Sequence, residues 1–284
     1  MSTNRVVAKE TEWLYKAARE GDTKQVQELL EQGIADVNYH HVNNYGSTPL
    51  IVAIVGGHVD TVEALLQGGA NVAALKTPDA NSPMHEACFQ MNAAIVHLLL
   101  KFQEQFVDEF HDHDPKTPKW SMVNAVNQFG NVPLHAAAMA GCSEAVKALI
   151  EAGAVVDAVN CQKSTPLHHA CYCTNENSQV VEMLINAGAN VNAIDKNGAT
   201  PLIVAAKKNQ AAAISLLLQA GADPCIREES GRTAYASAVF RNHTKCVQLL
   251  EGLASEEPTE SPRERRRSSL SQSMYQDYMY HHEE

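Results

Sequence analysis

The chemistry-bearing residues of this chain are thirteen His and seven Cys, and they crowd in two places. His168-His169-Ala170-Cys171-Tyr172-Cys173 combines imidazoles with thiols, the donors that zinc prefers. On a helix, however, His168 and Cys171 share one face while His169 and Cys173 share another, so no single face presents four ligands. His111-Asp112-His113-Asp114 offers harder donors, but without a closing partner at fixed spacing it reads as a solvated loop. The sequence contains no phosphate-binding G-x-x-x-x-G-K-[ST] loop, no G-x-S-x-G elbow and no H-E-x-x-H helix. The expectation is a chain with no catalytic site, no cofactor and no metal. A metal-dependent enzyme built on one of the two clusters is the rival that stoichiometric zinc would reveal.

Composition narrows the partners. The 284 residues are 45% hydrophobic and 19% charged, enough apolar material for a sizeable core. Formal net charge is −11, the wrong sign for neutralising phosphates, so neither nucleic acid nor an anionic membrane surface is expected as a partner. The first nine residues have no apolar core of a signal peptide, and the longest apolar run, 50–55, is too short to cross a bilayer. Scattered Cys residues with an odd total suggest free thiols, so the expected setting is the cytoplasm or the nucleus.

What must position any site is an internal repeat. Thr48-Pro49-Leu50-Ile51, Ser82-Pro83-Met84-His85, Val132-Pro133-Leu134-His135, Thr165-Pro166-Leu167-His168 and Thr200-Pro201-Leu202-Ile203 recur with Pro positions 34, 50, 33 and 35 residues apart. A decayed copy, Thr233-Ala234-Tyr235-Ala236, follows 33 residues later. Each copy leads into a second apolar stretch that stops at glycine: Gly68-Gly69, Gly153, Gly188 and Gly221. A hydroxyl before Pro caps a helix start, because Pro at the first helical position has no N–H to leave unpaired. Glycine at the far end can turn left-handed without a Cβ penalty. The predicted unit is helix, tight turn, helix, glycine exit.

These residues resemble the ankyrin repeat, most closely in the copy from Asn160 through Thr165-Pro166-Leu167-His168 to Gly188-Ala189-Asn190-Val191-Asn192. The resemblance implies an all-α solenoid with short β-hairpins over residues 9–253, in seven repeats near 9–42, 43–75, 76–126, 127–159, 160–194, 195–227 and 228–253. Residues 1–8 are expected to be a flexible N-terminus. The first repeat keeps the frame with Leu14, Ala17 and Ala18 and reads as a cap, as does the last, where Ala234 replaces Pro and Asn242 replaces a glycine. The third repeat carries an insertion, 101–123, in which Phe102, Phe106 and Phe110 extend the second helix before Pro115 and Pro118 break it. Beyond Leu253 the composition turns to Glu, Ser, Pro and Arg, so 254–284 reads as a disordered tail. Within it Ser268 and Ser269 each have Arg at −3 and −2, a pattern that resembles a basophilic kinase site.

Ankyrin-like stacks bind partners on a concave surface made of hairpin tips and the outer positions of each first helix. That frame places Tyr45, Asp79, Phe129, Gln162, Asn197 and Ser230 at the tips, and Val55, Phe89, Met139, Tyr172, Lys207 and Phe240 along the helices. Large apolar groups on a face that should be wet are expected to anchor a partner. Lys207, Lys208, Arg232 and Arg241 gather toward one end and suggest acidic groups opposite. The resemblance also implies substrates of an asparaginyl hydroxylase at Asn38 and Asn192, each after Val with Leu eight positions earlier. The expected function is a non-catalytic, monomeric adaptor or regulator that holds another protein. A transcription-factor inhibitor is an alternative, and so is a ubiquitin-ligase substrate receptor, which His85-Glu86-Ala87-Cys88 resembles although the tail lacks the Leu and Pro pattern of an adaptor-binding box.

Overall fold

The computed structural model describes residues 9–41, 44–76, 79–106, 121–173 and 178–253. Its helices come in pairs. The first helices are α1 (Lys9–Glu20), α3 (Pro49–Val55), α5 (Pro83–Phe89), α7 (Pro133–Ala140), α9 (Pro166–Tyr172), α11 (Pro201–Lys207) and α13 (Ala234–Phe240). The second helices are α2 (Thr23–Gln32), α4 (Val59–Gln67), α6 (Ala93–Phe106), α8 (Ser143–Glu151), α10 (Ser178–Asn186), α12 (Ala211–Gln219) and α14 (Thr244–Leu250). The recurring Pro therefore begins five of the first helices. The hydroxyls of Thr48, Ser82, Thr200 and Thr233 accept from the backbone N–H three residues on, which satisfies donors the helix itself cannot.

Helices too short to be stable alone gain their stability by packing. Each first helix lies against the first helix of the next repeat, and each second helix against the next second helix, so two helical layers enclose one continuous core. Leu50, Ile54, Leu65, Met84, Ile95, Leu99, Leu134 and Leu149 are fully buried in it. Among the described residues, no helix is long and apolar enough to cross a membrane.

A row of histidines ties the repeats together. The Nδ1 atoms of His85, His135 and His168 accept from the backbone N–H groups of Ser82, Val132 and Thr165 at 3.3, 3.2 and 3.2 Å. Their Nε2 atoms donate across the repeat boundary to the carbonyls of Asn131, Ser164 and Ala199 at 2.9, 2.9 and 3.0 Å. A backbone N–H only donates and a carbonyl only accepts, so the geometry fixes a neutral ring with its hydrogen on Nε2. Burial pushes the protonation of all three down, that of His135 to about 4.

The hairpins between repeats are closed by side chains. Asn127, Asn160 and Asp195 each use Oδ1 to accept two backbone N–H groups of their own turn. Neighbouring tips are then joined by backbone bonds: Gln128 N–H to Asp79 O, Cys161 to Phe129, Lys196 to Gln162 and Glu229 to Asn197. Gly130, at φ +72°, has no room for a side chain, since a Cβ would come 3.0 Å from the backbone nitrogen of Cys161.

The third repeat departs where the spacing lengthens. Its second helix, α6, has 14 residues against 9 in α4 and α8, and Phe102 is buried on it. Met122 and Val123, in a 3-10 turn, are fully buried, and the Met122 N–H donates to Gln103 Oε1 at 3.0 Å. Both ends of the longer interval are thus part of the core. Phe110, the His111 to Asp114 cluster and Pro115 and Pro118 lie outside the described residues, as do 1–8 and the tail with Ser268 and Ser269.

Two stability predictions follow from this geometry. Folding keeps the three histidines from protonating, so the unfolded chain binds more protons between its own His range near 6.5 and the depressed folded values. Stability is then full above about pH 6.5 and falls as pH drops toward 5, before ordinary carboxylates titrate. In urea unfolding, His135→Ala should cost about 3 kcal/mol at pH 7, from two lost hydrogen bonds and a cavity, and should flatten that decline. Met91, at φ +55°, occupies the turn between paired helices where Gly57 and Gly141 stand in neighbouring repeats. Met91→Gly should raise stability by about 1 kcal/mol by relieving left-handed strain, readable as a higher Tm.

Candidate functional site

His168, His169 and Cys171 stand on α9 and Cys173 just past its end, but they do not form a ligand set. Both nitrogens of His168 are engaged in the tie described above. His169 Nε2 lies 3.2 Å from Asn160 Nδ2 and its ring meets His135 edge-on at 5.0 Å, with burial pushing its protonation down to about 3. The Cys171 thiol is fully buried and pushed up to about 12, the opposite of a reactive or ligating sulfur. Among the described residues, no group of three or more His, Cys, Asp or Glu is placed to hold a metal ion.

The exposed apolar groups are arranged with more order. Val55, Phe89, Met139, Tyr172, Lys207 and Phe240 stand six residues after the Pro position of their repeats, at or next to the end of each first helix. The stacking of those helices therefore aligns them in one row. Of the six, all but Lys207 are exposed, from 37% for Phe89 to 54% for Tyr172. Tyr45 and Phe129, four residues before Pro on the hairpin tips, are 65% and 51% exposed. Asp79 is half-buried, and Gln162, Asn197 and Ser230 are exposed at the corresponding tips. These side chains expose ring or aliphatic surface to water at a spacing set by the repeat.

Cations order the C-terminal end of the row. Lys208 Nζ sits 3.4 Å over the Tyr172 ring and the Arg232 guanidinium 4.5 Å over Phe240. Glu228, buried between them, binds Lys207 and also pairs with Arg232 at 3.6 Å. Burial by itself raises the Glu228 carboxyl, but hydrogen bonds from Lys207 and Ser230, with the charges of Lys207 and Arg232, hold it below the usual carboxylate range. The Lys208 ammonium likewise lowers the Tyr172 phenol. Arg241 follows Phe240 and is exposed.

One row escapes notice in the sequence. Val126, Val159 and Ile194 stand seven residues before Pro and are 63%, 62% and 56% exposed. The next residue in each case, Asn127, Asn160 or Asp195, folds back to close its hairpin, and its predecessor is left in solvent. The signal was present as aliphatic residues just before the hairpin-closing position, where no partner in the core accounts for them.

Asn38 and Asn192 have structural work of their own. Asn38 Oδ1 accepts from the Asn71 N–H at 2.7 Å while its Nδ2 donates to Gly69 O at 3.3 Å. Asn192 repeats the pattern with the Asp223 N–H at 2.8 Å and Gly221 O at 3.4 Å. Both bridge to the following repeat and are half-buried.

Comparison with known proteins agrees with this architecture. Ankyrin repeats, in three copies, match residues 14–111, 85–195 and 172–256. The chain is 32% identical over 166 residues to tyrosine-protein kinase HTK16 of Hydra vulgaris, covering 58% of this chain and 20% of that protein. It is 32% identical over 143 residues to the B-cell lymphoma 3 protein homolog of Mus musculus, covering 50% and 28% respectively. Against probable E3 ubiquitin-protein ligase XBOS32 of Oryza sativa subsp. japonica the identity is 31% over 157 residues, covering 50% and 31%. The chain thus matches less than a third of each of these curated relatives. Among solved structures, the ankyrin repeat domain of Bcl-3, a member of the IkappaB protein family, superposes with a TM-score of 0.64 at 27% identity, over 84% of this chain and 98% of that one. The human ASB11 ankyrin repeat domain gives 0.67 at 28%, over 84% and 97%. The repeat, the paired helices and the matched residues lead to one conclusion: the chain belongs to the ankyrin-repeat family, whose fold serves protein–protein interaction.

Proposed function

We propose that this protein is a non-catalytic adaptor or regulator that holds a partner protein across the concave face of its stack. The carrying observation is the row Val55, Phe89, Met139, Tyr172 and Phe240, exposed at one register in five repeats and flanked by Tyr45 and Phe129 on the tips. A core has no use for these side chains, and leaving apolar rings in water is unfavourable until a partner covers them. Aromatic groups lose little entropy on binding and account for much of the energy of protein interfaces. The working compartment is a reducing one, cytoplasm or nucleus, consistent with the buried free thiols of Cys88, Cys142, Cys171 and Cys246.

Because the fold carries many unrelated tasks, the partner names the pathway. The test is affinity capture from native cells with the wild-type chain and with Phe89→Ala, Phe129→Ala, Tyr172→Ala combined. Exposed truncations of this kind should cost about 0.5 kcal/mol of stability or less each, so the variant folds with a Tm lowered by only a few degrees. A specific partner captured by the wild type should be lost, with affinity reduced on the order of 100-fold if two of the rings are anchors. Equal capture by the folded variant would refute the concave-face reading.

A further inference from the structure

The face described above is electrically polarised along its length. Compared repeat by repeat, the outward positions turn cationic chiefly toward the end; the exception, Lys76 in repeat 3, is paired with the buried Glu86 at 3.2 Å. The row Val126, Val159, Ile194 gives way to Arg227, and the pair Ala140 and Cys173 to Lys208 and Arg241, while Arg232 stands where the preceding repeat has the buried Ala199. The hairpins and first helices of repeats 5–7 (160–173, 194–209, 227–242) hold seven Lys and Arg against three Asp and Glu. In repeats 2–4 (41–57, 76–91, 126–141) the same elements hold one cation and two carboxylates. A local excess of four positive charges thus stands in a chain whose net charge is −11.

The cations are also held in place. Lys207 and Arg232 share the buried Glu228, Lys208 rests on Tyr172, and Arg232 rests on Phe240. Two long side chains anchored to one carboxylate, and two to rings, lose less freedom on binding than free ones would. Asp195 closes its own hairpin and Glu228 is buried, leaving Glu229 as the exposed carboxylate of these elements.

We propose that repeats 5–7 form the docking site for an acidic segment of the partner, with carboxylates meeting Lys208, Arg232 and Arg241 and apolar side chains lying along Val159, Ile194 and Tyr172. An acidic peptide suits the patch better than a nucleic acid does. Its alternating apolar residues use the aliphatic row, whereas a long polyanion extends beyond the patch into the field of a strongly negative molecule. The inference rests on the concave-face reading and fixes the orientation of the partner along it.

The test uses the full chain and a fluorescein-labelled twelve-residue peptide alternating Glu with Leu, beside the same peptide with Gln for Glu. By anisotropy the Glu peptide should bind saturably, weaken with added salt, and exceed the Gln peptide by about tenfold or more. Lys208→Glu with Arg241→Glu should abolish that preference, and Lys208→Gln with Arg241→Gln should reduce it, both checked for native Tm. Lys147→Glu, on the outer face of α8, should leave it unchanged. Equal binding of the Glu and Gln peptides, an unaffected charge-reversal variant, or tighter binding of a twelve-nucleotide single-stranded DNA would each overturn the proposal. Loss of the native partner from the triple aromatic variant alongside failure of the Glu peptide would sink this inference and leave the concave-face reading standing.

Discussion

The structure depends on a hydrogen bond that a single repeat cannot make alone. A neutral imidazole at the start of a first helix accepts a hydrogen bond from its own backbone N–H and donates one to the carbonyl of the next hairpin. Done in succession by His85, His135 and His168, this fixes both the distance and the rotation of each repeat relative to its neighbour. Apolar packing alone is non-directional and would tolerate some slip between layers. The imidazole tie does not, because a displaced ring would leave a buried donor and a buried acceptor unpaired. The alignment of the outward rows is a consequence of that fixed register.

Most of the scaffold is legible in the chain itself. The Thr-Pro or Ser-Pro steps announce helix starts through capping chemistry, and the glycines announce exits through their left-handed backbone. The period announces the stack. The tip and helix positions follow once the frame is laid over the numbering, as Tyr45, Phe129 and Tyr172 illustrate. Other features depend on three-dimensional pairing that no periodicity records. The acceptor for each imidazole lies 29 to 46 residues away on another repeat. Glu228 looks like a solvated loop carboxylate in the sequence, yet it is buried beneath two cations. Met91 shows no sign of its left-handed backbone except by comparison with Gly57 and Gly141. Val126, Val159 and Ile194 look like ordinary core residues until the hairpin geometry turns them outward.

Those outward residues explain how one architecture can be specific. The inner layer of each repeat is nearly interchangeable, since Leu50, Met84, Leu134, Leu167 and Leu202 all fill the same place. Differences between repeats at the tips and helix ends are larger, with apolar groups such as Phe89, Phe129 and Met139 in the middle and Lys208, Arg232 and Arg241 toward the C-terminal end. On the proposed reading, a partner would be recognised by its own pattern of apolar and charged groups in sequence, with the repeat spacing as the ruler.

The ties that hold the ends of the stack differ from those in its middle. The central imidazoles are shielded, but His58 reaches Arg19 O in an exposed position, and His243 reaches Ala206 O in a partly buried one. Water competes for these terminal bonds, so the outermost repeats open and close more readily than the centre. The last repeat carries Arg232, Phe240 and Arg241, so part of the proposed binding surface is built on an end with weaker ties. A bound partner would act there as a clasp, and the time it stays would depend on how often that end unlatches.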